Sequence, residues 1–272
     1  MKDQLSIIAR DLRDAIPRDL RAAAMDWAAR RLEALAQSIQ PGEANVPHPT
    51  GPAHEMGDAV CAPPGVSNDT YHAHHMLHAE GGRIGDWMQT VSGKQFWPLD
   101  PRPEEIDIND IAAALAKQCR FGGHCDWHYS VAQHSVYVSH QVPPEFQLDA
   151  LMHDSTEAYC IDVPRPLKRS LIGYAKIEDR IWMAIATKFG LSLRLHHCIH
   201  EADESVLLAE KAQVMRPGPA WTLDTKAKPA NIKVSQWTPD MAREAFISRF
   251  EVLVLQRSHL LAQRGAQIPQ PV

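Results

Sequence analysis

Hydrophobic positions along the 272-residue chain change their rhythm twice. Between residues 3 and 38 they fall at helical spacing. Leu5, Ile8, Leu12 and Ile16 form one stripe, Pro17 interrupts it, and Leu20, Ala24, Trp27, Leu32 and Leu35 form a second. The pattern predicts an N-terminal helical hairpin over residues 1–40, with a charged outer face suited to packing or oligomerisation. Over residues 41–82 the rhythm disappears. Pro, Gly, Ala and His dominate there, as in PGEANVPHPTGPAHEMG, and the composition reads as a linker. From Gly85 the pattern tightens again. The segment MQTVSGKQFWPLDP predicts a short β-hairpin turning at Ser92-Gly93.

Beyond Ile106 the periodicity is helical almost throughout. One helix is expected up to Gln118, capped by Asp107 or Asn109, and another from Ser130 to Val138. A third covers Pro144 to Tyr159 and ends before Asp162-Val-Pro-Arg-Pro166. A fourth runs from about Tyr174 to Phe189 and stops at Gly190. A fifth covers about Leu195 to Gln213, and a last one starts near Pro239 and ends near Gln263. Many helices with few strand patterns predict an all-α domain over residues 83–272.

Composition narrows the classes. Hydrophobic residues make up 44% of the chain, which argues against wholesale disorder. The net charge is −5 with His neutral, and no strongly basic run is present to wrap long nucleic acid. A small anionic ligand needs only a few local cations, so a nucleotide stays open. Five cysteines with no CxxC pair read as reduced thiols, which suits the cytoplasm. The charged N-terminus lacks the apolar core of a signal peptide, and no run approaches the length of a membrane span. Fifteen histidines raise the question of a metal.

The sharpest chemistry lies in Leu151-Met-His-Asp-Ser-Thr-Glu157. On a helix, His153 and Asp154 would diverge by about 100° yet could flank one ion over the groove between them. Glu157, four residues after His153, would share its face. Upstream, His134 sits in the apolar run Ser130 to Val136. Downstream, Asp203 stands beside the apolar stripe of the segment 200–208. Buried charges are expensive unless paired or bound to metal. Histidines and carboxylates projecting into a helical core form a natural metal site. Their mixed N/O chemistry suits one divalent ion, with Mn, Co, Fe, Ni, Zn and Mg all open.

The order H…HD…D resembles the defining pattern of the HD superfamily of metal-dependent phosphohydrolases. Flanking segments extend the resemblance over about residues 89–255: Phe96-Trp-Pro-Leu-Asp-Pro101, Asp107-Ile-Asn-Asp-Ile-Ala112, Gln118-Cys-Arg-Phe-Gly-Gly-His124 and Asp162-Val-Pro-Arg-Pro-Leu-Lys168. They are similar to a branch containing bacterial 5′-deoxynucleotidases and phage dATP triphosphohydrolases. The resemblance implies an HD-domain helical bundle with the ion at its centre, here carrying an N-terminal helical extension. It implies His134, His153, Asp154 and Asp203 as metal ligands and Glu157 as the residue that handles protons. Arg120 and Lys168 would meet the phosphates, and Phe121 and Pro166 would pack against base or sugar. His124 and Asp162 stand close enough to touch substrate.

Plainer readings compete at several of these positions. Asp162 could simply cap the turn before Pro164, and Arg165, Lys168 and Arg169 could be a solvated basic face. The cluster His72, His74, His75 and His78 reads as loop histidines. Cys119, His124, Cys125 and His128 match no usual zinc spacing, and His196, His197 and His200 read as one helix edge. The functional expectation is a metal-dependent nucleotide hydrolase, first a 5′-(deoxy)nucleotidase acting on monophosphates. A dNTP triphosphohydrolase is the alternative within the enzyme class. A non-catalytic nucleotide-binding regulatory module is the alternative outside it. The expected partner is a small nucleotide, with no long nucleic acid and no membrane, and a homo-oligomer is expected.

Overall fold

The computed structural model describes residues 82–219, 221 and 228–266. By internal contacts the chain divides into two units, Met1–Gly85 and Asp86–Val272. The hairpin expected over 1–40 and the linker expected over 41–82, with its four clustered histidines, lie outside the described residues except for Gly82.

The second unit opens with the expected β-hairpin. Strand β1 (Met88–Gln89) pairs antiparallel with β2 (Gln95–Phe96). Gly93 takes the left-handed backbone that the tight turn requires, at φ +82°. The buried Asp110 carboxylate accepts from both the Ser92 amide and the Ser92 hydroxyl, each at 2.7 Å. That contact ties the hairpin tip to the first helix. Phe96 is fully buried and stacks on Tyr159 with ring centroids 3.8 Å apart.

Among the described residues, everything after the hairpin is helix or connection, with one isolated bridge between Cys119 and Ser130, so these residues are all-α apart from this small sheet. Helix α1 (Ile108–Lys117) starts at Asp107, whose side chain accepts from the Asn109 amide. Helix α2 (Val131–Ser139) starts at Ser130, which caps the Gln133 amide. Next come the short helices α3 (Gln147–Leu151), α4 (Glu157–Cys160) and α5 (Arg165–Lys168). Then follow α6 (Tyr174–Phe189), closed by left-handed Gly190 as expected, and α7 (His197–Val214). The last, α8 (Pro239–Ala266), packs against α1, α2 and α3. Its inner stripe, Ala242, Ala245, Phe246, Arg249, Phe250 and Leu253, follows the i, i+3, i+4, i+7 rhythm of a core-facing helix.

Arg249 is the exception within that stripe. It is 1% exposed, and neutral groups hold it. Nε donates to Ser139 Oγ at 3.0 Å, Nη2 donates to the Ser139 carbonyl at 3.3 Å, and Nη2 also donates to Gln147 Oε1 at 3.0 Å. Burial alone pushes its pKa down to about 10. Burial, and then Arg249, push nearby His140 down to about 3.

One expectation needs correction. Residues 144–159 do not form a continuous helix. A 3-10 turn (Pro144–Phe146) leads into α3, then residues 152–156 form turns, and only Glu157 resumes the helix. Side chains take over the backbone carbonyls in between. His153 Nδ1 engages the Ala150 carbonyl at 2.8 Å, and Ser155 Oγ donates to the Met152 carbonyl at 2.6 Å. Such local bonds compete with the helical ladder. The His153-Asp154 dipeptide therefore sits in a turn between two helices and not on a helix face.

Candidate metal centre and cleft

Because residues 152–156 form turns, His153 and Asp154 converge where a helix would have splayed them. His153 Nε2 and Asp154 Oδ2 are 3.2 Å apart. Helix α2 brings His134 to the same point, with Nε2 3.5 Å from Asp154 Oδ2. The ligand atoms of His134, His153 and Asp154 all lie within 4.8 Å of one another, so this group could hold a metal ion. Both imidazoles are oriented from behind. His134 Nδ1 faces Glu210 Oε1 at 2.6 Å, and His153 Nδ1 faces the Ala150 carbonyl at 2.8 Å. Each Nδ1 can donate to an oxygen, which leaves each Nε2 as a lone-pair donor. Both Nε2 atoms are buried and make no hydrogen bond. The neighbouring carboxylate oxygens are close but out of line, an arrangement suited to a cation between them.

Asp203, expected as the fourth ligand, stands at the edge of this group. Its Oδ1 is 3.1 Å from His134 Nε2, while its Oδ2 accepts from Arg165 Nη2 at 3.0 Å. It lies outside the three-residue set that converges within 4.8 Å.

The electrostatics are those of a buried cluster of opposite charges. Burial opposes ionisation of Asp154, but His153, then His134 and Arg120, hold its carboxyl well below the usual range. Asp203 is depressed in the same way, its burial overcome first by His134. Burial and Arg120 both oppose protonation of His134, yet Glu210 and Asp203 outweigh them and push its pKa up to about 9. Glu157 goes the other way. Burial first, then Asp154 and Asp162, raise its carboxyl well above the usual range. Its Oε2 is buried without a hydrogen-bond partner.

A cleft of about 620 Å³ opens over the group. Arg120, Phe121, His124, Asp162, Pro166 and Lys168, all expected from the sequence to face substrate, line it. Asp154, Glu157 and Asp203 line it as well. Arg120 is buried, with Nε 3.2 Å from Glu210 Oε2 and Nη1 3.6 Å from Asp154 Oδ2. Its guanidinium lies 5.6 Å from the centre of the Phe121 ring. Phe121 itself sits in left-handed backbone at φ +58°, a conformation costing about 1–2 kcal/mol for a side-chain-bearing residue. Lys168 Nζ is 2.6 Å from Glu178 Oε1. Gln118 braces the far side of the site. It donates to the Glu157 carbonyl at 2.8 Å and accepts from the Asp162 amide at 3.0 Å. Between those two residues Ile161 takes φ +61°, ψ 155°, a region nearly confined to glycine.

Several site residues escaped the sequence reading. Glu210 is fully buried and joins Arg120, His134 and the Tyr129 hydroxyl, the last donating at 2.6 Å. Its signal was present: it falls seven residues after Asp203, two turns along the same helix, beside buried Val206 and Ala209. Glu178, which pairs with Lys168, and Trp221, which reaches the cleft from a distant loop, carried no local signal. His196, His197 and His200 do not line the cleft, and His196 stacks on Phe146 at 4.2 Å. Among the described residues, no helix is long and apolar enough to cross a membrane.

Fold and site together define a helical protein with a buried candidate metal centre at the base of a ligand-sized cleft. No family model matches the chain. It is 40% identical over 170 residues to YfdR of Escherichia coli K12, an uncharacterized protein, covering 61% of this chain and 95% of YfdR. It is 30% identical over 187 residues to the uncharacterized protein RCAP_rcc00048 of Rhodobacter capsulatus, covering 62% of this chain and 95% of that protein. The chain belongs to the family of these two proteins.

Proposed function

We propose that the chain is a metal-dependent phosphohydrolase of the HD superfamily, and specifically a 5′-(deoxy)nucleotidase that releases phosphate from (deoxy)nucleoside monophosphates. One observation carries the reading. Two buried histidine Nε2 atoms without hydrogen bonds converge with the Asp154 carboxylate beneath a cleft lined by Arg120 and Glu157. The cleft volume of about 620 Å³ falls within the range of about 300–1,000 Å³ usual for small-molecule sites.

His134, His153 and Asp154 would hold one divalent ion, with Asp203 Oδ1 as the fourth ligand. Mn, Co, Fe, Ni, Zn and Mg are all compatible with that mixed set. The ion, when bound, supplies Lewis acidity toward a phosphoryl oxygen and toward water. Arg120, held rigid by Glu210, offers a bidentate clamp to phosphate, and Lys168 offers a point charge. Glu157, whose carboxyl is raised by burial and then by Asp154 and Asp162, can exchange a proton with the incoming water and the leaving 5′-oxygen. Phe121 and Pro166 form apolar wall for sugar and base, with His124 and Asp162 at the rim.

Release of triphosphate from a dNTP is the competing reaction at the same centre. The charge balance favours the monophosphate. Arg120, Arg165 and Lys168 each already face a carboxylate, Glu210, Asp203 and Glu178 respectively, which leaves Arg169 as the main further cation of the cleft for a longer phosphate chain. The test is turnover by Mn²⁺- or Co²⁺-loaded protein over a panel of nucleoside mono-, di- and triphosphates. Phosphate release from monophosphates is expected. Triphosphate release selects the alternative reaction, and metal-loaded protein without turnover leaves a nucleotide-binding regulatory module. A His153→Ala protein that kept its full metal content would refute the ligand assignment.

A further inference from the structure

Two cysteines that the sequence presents as unrelated thiols meet at the base of a loop that lines the cleft. Cys119 Sγ and Cys125 Sγ are 3.4 Å apart, and both are free and partly exposed. A zinc knuckle does not account for them. His128 directs Nε2 at the Ala116 carbonyl, 3.0 Å away. Among the described residues, no set of three metal-ligating side chains gathers around the pair.

The two sulfurs bracket a loop that belongs to the cleft. Of the residues between them, Arg120, Phe121 and His124 line it. The base of the loop is already paired, with the Arg120 amide donating to the Tyr129 carbonyl at 2.8 Å and Cys119 bridged to Ser130. Its crown is unusual: Phe121, Gly122 and Gly123 stand in succession at φ +58°, +61° and +82°. A covalent bond from 119 to 125 would tie off this crown.

We propose that Cys119 and Cys125 are a thiol–disulfide modification site, oxidised by a low-molecular-weight disulfide such as oxidised glutathione to an intramolecular bond that closes the Arg120–His124 loop. The sulfurs must approach from 3.4 Å to about 2.05 Å. Cys119 attacks one sulfur of oxidised glutathione, forming a mixed disulfide and expelling one glutathione thiolate. Cys125 then attacks the Cys119 sulfur and expels the second. The two cysteines together lose two electrons and two protons, and oxidised glutathione becomes two glutathione thiols. Cys119 goes first because the Cys125 thiol donates to the Trp127 carbonyl at 3.0 Å, and burial also raises that thiol.

The full chain is incubated with oxidised glutathione, alkylated with iodoacetamide and mapped by peptide mass. Loss of alkylation at both Cys119 and Cys125, with an internal disulfide between them that dithiothreitol reverses, is expected. In Cys125→Ser the second displacement is blocked, so Cys119 should carry a stable glutathione instead. Wild-type protein that keeps both thiols alkylatable, or that holds glutathione on Cys119 without passing on to the internal bond, overturns the assignment. The readout is a mass and needs no substrate, so it stands or falls independently of the phosphohydrolase reading.

Discussion

Glu210→Gln replaces a buried carboxylate by a group of the same shape and removes one charge. In the native site, Oε1 accepts from Tyr129 and faces His134 Nδ1, both at 2.6 Å, while Oε2 pairs with Arg120 Nε at 3.2 Å. An amide keeps one acceptor oxygen for the first two groups and turns an N–H toward the guanidinium, donor against donor. Breaking a buried ion pair from one side costs about 3–5 kcal/mol. Arg120 retains Asp154 at 3.6 Å, so the lower end, about 3 kcal/mol, is expected. The loss should be read by urea unfolding of metal-free protein at pH 7.5. It should also depend on pH in one direction. Burial disfavours the Glu210 anion, but Arg120 and then His134 hold its carboxyl below the ordinary value. Its contribution is therefore complete above the unfolded value of about 4.3 and disappears as pH falls through the lower folded value. The gap between variant and wild type should close in that acid window. Because Glu210 also orients His134, metal affinity by calorimetry should fall about 10- to 100-fold. A variant within about 0.5 kcal/mol of wild type at pH 7.5, with unchanged metal affinity, would refute the role given to this carboxylate.

Further outcomes follow from the same geometry. Glu157→Gln should lower turnover by about 10²- to 10⁴-fold while leaving metal content intact. The same variant should raise the stability of metal-free protein at pH 8, measured by thermal melting. The sign follows from a folded carboxyl raised by burial and then by Asp154, so the native anion is penalised as pH climbs above the unfolded value. His134, pushed up to about 9, must lose its proton to bind metal. Calorimetry in buffers of different ionisation enthalpy should show proton release near pH 7.5, and metal affinity should rise until about pH 9. By the same shift, His134 stabilises the metal-free fold fully below its unfolded value near 6.5, a contribution lost as pH rises through 9. Ile161→Gly should leave stability unchanged or raise it by up to about 2 kcal/mol, since it removes strain of about 1–3 kcal/mol at an exposed side chain. A drop in melting temperature would show that the backbone there is not strained.

The sequence revealed most of the fold because its signals were local. Asp107, one of two candidate caps, and Ser130 cap their helices, Gly190 ends α6, and Ser92-Gly93 turns the hairpin. The error at 152–156 was also local in origin. Hydrophobic periodicity reads through a short turn when both flanking segments are helical, and it is blind to a histidine and a serine that capture backbone carbonyls. Six side chains read as substrate-facing line one cleft, because ordered motifs carry long-range proximity that periodicity lacks. Glu210 was within reach of helical spacing from Asp203, but no motif sets it apart from the other acids of that helix. Trp221 and Glu178 depend on how distant segments pack, and nothing beside them in the chain encodes that.

The buried arginine on the last helix has a consequence for the distance between the two halves of the centre. A slip of α8 by one turn would already cost packing at Phe246 and Phe250. Arg249 forbids this, since in any other register its cation would face hydrocarbon with no acceptor. Its two anchors are Ser139, five residues beyond His134, and Gln147, six before His153. A single side chain thus acts as a caliper, fastening the helix that brings one imidazole to the segment that brings the other. The spacing of the two nitrogens is set in the core, by a residue that touches neither.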